Sequence, residues 1–214
     1  MHSSNRFIAI HVATVATLAC AGAQAQVHTL KLGVAQYTTH ERTTGVTGVG
    51  IPAGADATIG DAGTVLLVYE YTLQPNLGIE LVLGIPPKIK ARASGSVAFL
   101  GDVLTAKNLG PTVLLTYHFG QAGDSLRPYV GLGVNYTKFT GVTTPYGWQV
   151  SLSDSVGLAG HVGLDYAIDK QWGLYASVAA AKVKSDLVAV SGTVLQTTID
   201  FKPIIYSAGL LFRF

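Results

Sequence analysis

Six ionisable side chains share one property of placement: Lys31, Glu70, Glu80, His118, Asp165 and Arg213. Each sits on the small or polar side of a stretch that alternates residue by residue, with an apolar side opposite. Catalysis would need a nucleophile with a base and an orienting acid in reach. The chain has no Gly-x-Ser-x-Gly motif, and the histidines His118 and His161 are lone ones, the type that more often fills a hydrogen-bonded interior position. His28 and His40 read as ordinary polar positions. Metal ligation would announce itself by closely spaced His, Cys and Asp residues, and no such spacing is present. No catalytic residue, metal or cofactor is therefore expected, and the chain reads as a non-enzyme. What remains is ion pairing. Two bases and three acids on inner faces must pair if buried, because a lone buried charge is costly.

These residues are carried by stretches with a period of two, the signature of strands. The last, 203–214, is the clearest. Ile204, Tyr206, Ala208, Leu210, Phe212 and Phe214 share one face, and Ile205, Ser207, Gly209, Leu211 and Arg213 the other. The same pattern predicts strands over 28–37, 64–73, 77–85, 109–119, 127–139, 152–168 and 172–183, making eight with the last. Gln74-Pro75-Asn76, 120–125 and Asp169-Lys170 are short turns. The long connections are 38–63, 88–108, 140–150 and 185–202, read as loops, with a short amphipathic helix suggested over 97–106. Long and short connections alternate, as in transmembrane barrels. Aromatics gather beside the short turns (Tyr69, Tyr71, Tyr117, Phe119, Tyr166, Trp172, Phe212, Phe214), where an interfacial girdle belongs.

Composition agrees with an all-β, eight-stranded antiparallel transmembrane β-barrel. Only 12% of residues are charged, against about 25% in a soluble domain. Past the N-terminus no run of about 18 apolar residues would make a spanning helix. Only helices and closed barrels satisfy the backbone in lipid. A soluble lipocalin-like barrel would need a charged exterior that this chain lacks. No basic patch suggests nucleic acid. The N-terminus reads as a bacterial export signal: Arg6, an apolar run from Phe7 to Ala21, then Ala23-Gln24-Ala25. Residues 1–25 are expected to be cleaved, leaving 26–214 as the barrel. The single cysteine, Cys20, lies in the signal. Lipidation there is the weaker reading, since Thr17 stands where such a site wants an aliphatic residue.

Placed on a barrel, the six ionisable residues gather toward the short-turn end and form an ionic floor. Above them Leu66, Val68, Val82, Leu114 and Ala159 face inward, giving an apolar upper lumen. An apolar solute entering from outside could not cross the floor and would leave through the wall. A wall opening needs an interrupted ladder, and Pro86, Pro87 and Pro111, whose nitrogens cannot donate, are candidates together with the strand glycines. A floor that only holds the barrel together is compatible with this reading. Phe212 and Phe214 form a C-terminal barrel-insertion signal.

Several blocks resemble a known family. They are Asn76-Leu77-Gly78-Ile79-Glu80-Leu81, Pro111-Thr112 with Tyr117-His118-Phe119, Arg127-Pro128-Tyr129-Val130-Gly131, Asp154-Ser155-Val156-Gly157 with Gly163-Leu164-Asp165-Tyr166, and Ser207-Ala208-Gly209 onward to Phe214. Together they resemble the OmpW family of outer-membrane proteins, which includes AlkL-type proteins associated with alkane uptake. The resemblance implies an outer-membrane barrel with a hydrophobic channel for small apolar molecules and sideways exit through the wall. Its expected partners are outer-membrane lipid, small hydrophobic solutes, and the export and barrel-assembly machinery. A structural, receptor or adhesin-type barrel without transport stands as the alternative, its contacts falling in the long loops.

Overall fold

Each alternating stretch forms a strand because its apolar face and its small or polar face need opposite surroundings. The computed structural model describes residues 27–39, 41–43, 45–190 and 194–214. The signal segment, Cys20 and His40 fall outside the described residues. Eight strands make the barrel: β1 (His28–Thr38), β2 (Ala62–Gln74), β3 (Leu77–Gly84), β4 (Thr112–His118), β5 (Leu126–Thr143), β6 (Ser155–Ala167), β7 (Trp172–Ala181) and β8 (Ile204–Arg213). Each pairs antiparallel with its sequence neighbour, and β1 pairs with β8, so no edge is left. The ends of the described chain are clasped together: His28 N–H donates to Phe214 O at 3.2 Å, and Phe214 N–H to His28 O at 3.0 Å.

The outer face is an apolar belt. Leu132 is 76% exposed and Val156 72%, values that suit lipid and would be unfavourable in water. At the short-turn end the belt closes in aromatics. Trp172 packs on Phe212 at 4.8 Å between ring centroids, and Phe214 stacks on His28 at 5.3 Å. His28 is thus no ordinary polar position: its Nδ1 also meets Tyr69 OH at 2.7 Å, joining the girdle. The turn after β6 is held by Asp169, whose carboxylate accepts the N–H groups of Gln171 and Trp172 at 2.8 and 2.7 Å. Those donors hold its carboxyl below the usual range.

The long connections depart from expectation, because they are largely strand. Lys88–Gly95 and Asp102–Leu109 form a hairpin whose tip carries a single 3-10 turn, Ala98–Leu100, in place of a helix over 97–106. The reason is period: Ile89, Ala91 and Ala93 alternate with Lys88, Lys90 and Arg92, which suits a strand. Strand β5 continues past the barrel rim and pairs with Asp102–Leu109 from Lys138↔Leu109 upward, and Ala55–Ile59 completes this external sheet. A second external sheet runs Gln149–Leu152, Val183–Val190, Val194–Phe201, Glu41–Thr43, with Thr47–Gly48 also on Val194–Phe201. Between the sheets Val183 and Ile199 are buried against Ile59, Phe139, Ala181 and Leu187. Three barrel strands accordingly give up residues to the external sheets. Leu109 belongs to the external hairpin, Leu152 to the short external strand, and Val183 to the second sheet.

Candidate functional site: the lumen and its wall

Glu70 and Glu80 are direct cross-strand partners on β2 and β3, both inward. Like charges so placed repel, and a cation must lie between them. Lys31, from β1, fills that role. Its Nζ lies 3.0 Å from Glu80 Oε1, 3.5 Å from Glu70 Oε2 and 3.4 Å from Asp165 Oδ1 on β6. Lys31 is 1% exposed. Its ammonium also lies 4.3 Å from the Tyr129 ring centroid, within cation–π range. His118 Nε2 meets Glu70 Oε1 at 2.6 Å, and His161 Nε2 lies 3.5 Å from Glu80 Oε2 and 3.1 Å from Thr116 Oγ1.

Five of the six expected floor residues thus converge: Lys31, Glu70, Glu80, His118 and Asp165. Arg213 does not. Among the described residues no ion pair joins it to these carboxylates. It lines a cavity of about 590 Å³ below the floor, with Arg127, Thr29, Glu70, His118 and Asp165. Arg127 Nη2 donates to Pro75 O at 2.9 Å in the adjacent turn. The floor also contains side chains not assigned to it from the sequence: Tyr129, His161, Tyr175 and the fully buried Leu211. Tyr129 and His161 fall on inward faces by alternation, and Tyr175 follows by the same rule from Trp172 and Leu174.

Glycines make room for this section. A Cβ at Gly163 would collide with the Tyr129 ring, and one at Gly131 with the His161 imidazole. Gly163→Val is expected to destabilise the barrel by about 1–3 kcal/mol through overpacking. The readout is a lowered urea midpoint in lipid bilayers. An unchanged midpoint would mean that Tyr129 has space to move.

Above the floor lies a cavity of about 90 Å³ whose walls include Leu66, Val68, Val82, Leu114 and Ala159, the expected upper lumen. A narrower neck follows. Tyr37, Pro87, Asn108, Val183 and Pro203 border both neck and lumen. The neck shares Ile89 and Phe139 with a third cavity of about 100 Å³ between the external sheets, where Leu104, Trp148 and Ile199 also contribute. This chamber was not visible as a site in the sequence, because its walls come from stretches read as loops.

The wall between β3 and β4 is interrupted. Their last rung is Val82↔Thr112. Pairing resumes where Asn108 N–H donates to Pro87 O at 3.1 Å, followed by Lys88↔Lys107. Among the described residues, no backbone hydrogen bond joins 83–86 to 109–111. Each side is tied elsewhere. Ile85 N–H donates to Val65 O, Thr64 Oγ1 donates to Ile85 O, and Pro111 O accepts Tyr136 N–H, the two backbone bonds each at 3.0 Å. Pro86 and Pro111 lie in the interval and Pro87 at its upper edge. Leu83, Gly84, Ile85 and Gly110 border both interval and lumen.

The family whose model matches is described as the OmpW family, over residues 25–214. Outer membrane protein W of Vibrio cholerae is 33% identical over 156 residues, covering 69% of this chain and 72% of that one. Outer membrane protein AlkL of Ectopseudomonas oleovorans is 30% identical over 169 residues, covering 78% and 73%. Among solved structures, the outer membrane protein OprG from Pseudomonas aeruginosa superposes with a TM-score of 0.83 at 25% identity, covering 89% of this chain and 96% of that one.

Proposed function

The chain belongs to the OmpW family of outer-membrane β-barrels, and from that premise we propose that it passes small hydrophobic molecules inward by passive diffusion, with lateral exit through the barrel wall. One observation carries the reading: apolar cavities follow one another from between the external sheets to a charged floor, beside the one stretch of wall between β3 and β4 that lacks rungs. A solute is collected in the outer chamber, where its apolar surface leaves water. It descends through the neck into the upper lumen. The floor stops it there, because Lys31, the three carboxylates and Tyr129 fill the section and have no use for an apolar partner. The interval bounded by Pro86, Pro87 and Pro111 then offers lipid, which is as apolar as the solute. The barrel is a conduit without catalytic activity, inserted by assembly machinery that reads the terminal Phe212 and Phe214.

The test is uptake of a radiolabelled medium-chain alkane and of a small polar sugar by cells lacking other relevant porins, with and without this protein. Faster alkane uptake with unchanged sugar uptake is expected. No change in either, with the protein folded and inserted, would favour a structural or receptor barrel whose partners meet the external sheets.

A further inference from the structure

The floor carries more negative charge than the bases within it balance. Three carboxylates, Glu70, Glu80 and Asp165, face one ammonium, and all four side chains are at most 4% exposed. With all three ionised, two negative charges are in excess, in surroundings where unbalanced charge is strongly unfavourable. Arg127 and Arg213 border the cavity below but form no ion pair with the three, among the described residues.

A second observation points to where compensation belongs. The ring of His118 is oriented by Glu70. Nε2–H donates to Glu70 Oε1 at 2.6 Å, which leaves Nδ1 as the lone-pair nitrogen. That Nδ1 is buried and has no hydrogen-bond partner, and Asp165 Oδ1 has only its ion pair with Lys31 at 3.4 Å. Nδ1 stands 3.9 Å from Asp165 Oδ2, too far for a hydrogen bond. A tetrahedral ion with metal–nitrogen and metal–oxygen bonds of about 2.0–2.2 Å would hold the two atoms about 3.4 Å apart, so the side chains close on it by about 0.5 Å. One donor atom from each of Glu70, His118 and Asp165 lies within 4.8 Å of the others. A carboxylate behind a ligating imidazole is the usual way of fixing the ring and raising its basicity. All three residues border the 590 Å³ cavity at the short-turn end, which gives an ion and its waters a way in.

We propose that His118 Nδ1 and Asp165, with Glu70 orienting the imidazole, bind one divalent transition-metal ion, reached from the periplasmic end. The imidazole selects a borderline ion such as zinc over magnesium or calcium, which prefer all-oxygen sites. The ion offsets the two excess charges and ties β4 to β6 across the lumen, so that the floor is closed by coordination as well as by ion pairs. The inference concerns the underside of the floor and stands apart from the transport reading.

The test uses the full mature chain, folded in detergent micelles and titrated calorimetrically with zinc, then with magnesium. One zinc per barrel is expected, with no saturable magnesium binding. His118→Gln is expected to abolish the zinc isotherm. Glu70→Gln should weaken it by about 10–100-fold, the usual effect of losing an orienting carboxylate. A control lacking two other histidines of the mature chain, His28→Ala with His40→Ala, should bind as the parent does. Should His118→Gln fail to fold, the parent labelled with 15N-histidine decides: zinc must move one Nδ1 resonance in a ring whose Nε2 stays protonated. Absence of saturable zinc binding to the folded parent overturns the proposal. So does an isotherm unchanged by His118→Gln, or one lost in the His28/His40 control.

Discussion

Lys31→Met is expected to leave the barrel unable to fold stably at neutral pH. Lys31 is the ammonium on which Glu70, Glu80 and Asp165 all converge within 3.5 Å. Methionine keeps much of the volume and removes the charge, so packing is largely spared while three buried carboxylates lose their counter-ion. Removing one partner of a buried pair costs about 3–5 kcal/mol, and here three acids share that partner. Total stabilities are commonly about 5–15 kcal/mol, so the deficit consumes a large part of the whole. The measurement is the fraction of chain that resists unfolding by SDS after refolding into lipid, together with the urea midpoint of what remains. The charge argument makes a second demand. Adding Glu70→Gln, Glu80→Gln and Asp165→Asn to Lys31→Met should recover folding, since replacing a whole buried ionic set by neutral groups of similar size is often neutral or stabilising. If the single variant folds like the parent, the carboxylates find compensation elsewhere and the account of the floor is wrong. If the quadruple variant fails as badly as the single one, the ammonium's contact with Tyr129 matters more than its charge balance.

The faces of the barrel were readable from alternation alone, because a strand that separates lipid from lumen has no freedom in which residues point where. Which inward charges meet was less readable. Lys31 lies level with Leu211 across the β1–β8 pair, and Arg213 lies level with Thr29. Arg213 is therefore two residues, about 7 Å, nearer the end, and that offset is set by the stagger between strands, which no single strand encodes. The proposed ligands His118 and Asp165, and Glu70 behind the imidazole, come from β4, β6 and β2, so a search for closely spaced ligands could not find them. The external sheets were missed for a different reason. Stretches such as 38–63 are rich in Gly and Ala, weak strand formers, and their threonines, though good strand formers, follow no sustained period of two. Their partners are one another, far apart in sequence: Ile199 pairs with Thr43 and Ala57 with Ala93. The prolines flank the wall interval without accounting for all of it: the rung due after Val82↔Thr112 would join Gly84 and Gly110, which both carry an N–H, while Pro111, whose carbonyl accepts Tyr136 N–H, bonds toward β5.

That interval permits a sharp test of lateral exit, because the only cysteine of the chain, Cys20, lies before the described barrel. A cysteine placed at Val82 stands on the last rung beneath the interval, opposite Thr112, and borders the lumen. Val82→Cys is a small apolar-to-apolar change at a half-buried position, so the variant should fold and transport like the parent. Reaction with a bulky methanethiosulfonate reagent then fills the corner where lumen and interval meet, in a barrel already folded. Alkane uptake is expected to fall to the level of cells without the protein, and to return when the mixed disulfide is reduced. The same label on a cysteine at Thr72, near the short-turn end and bordering the cavity below the floor, should leave uptake unchanged, because an apolar solute never passes there. The two positions separate the two routes. Inhibition at position 82 alone is the result expected of exit through the wall. Inhibition at position 72 would mean that the solute crosses the floor after all. Full uptake with position 82 completely labelled would remove the wall from the path.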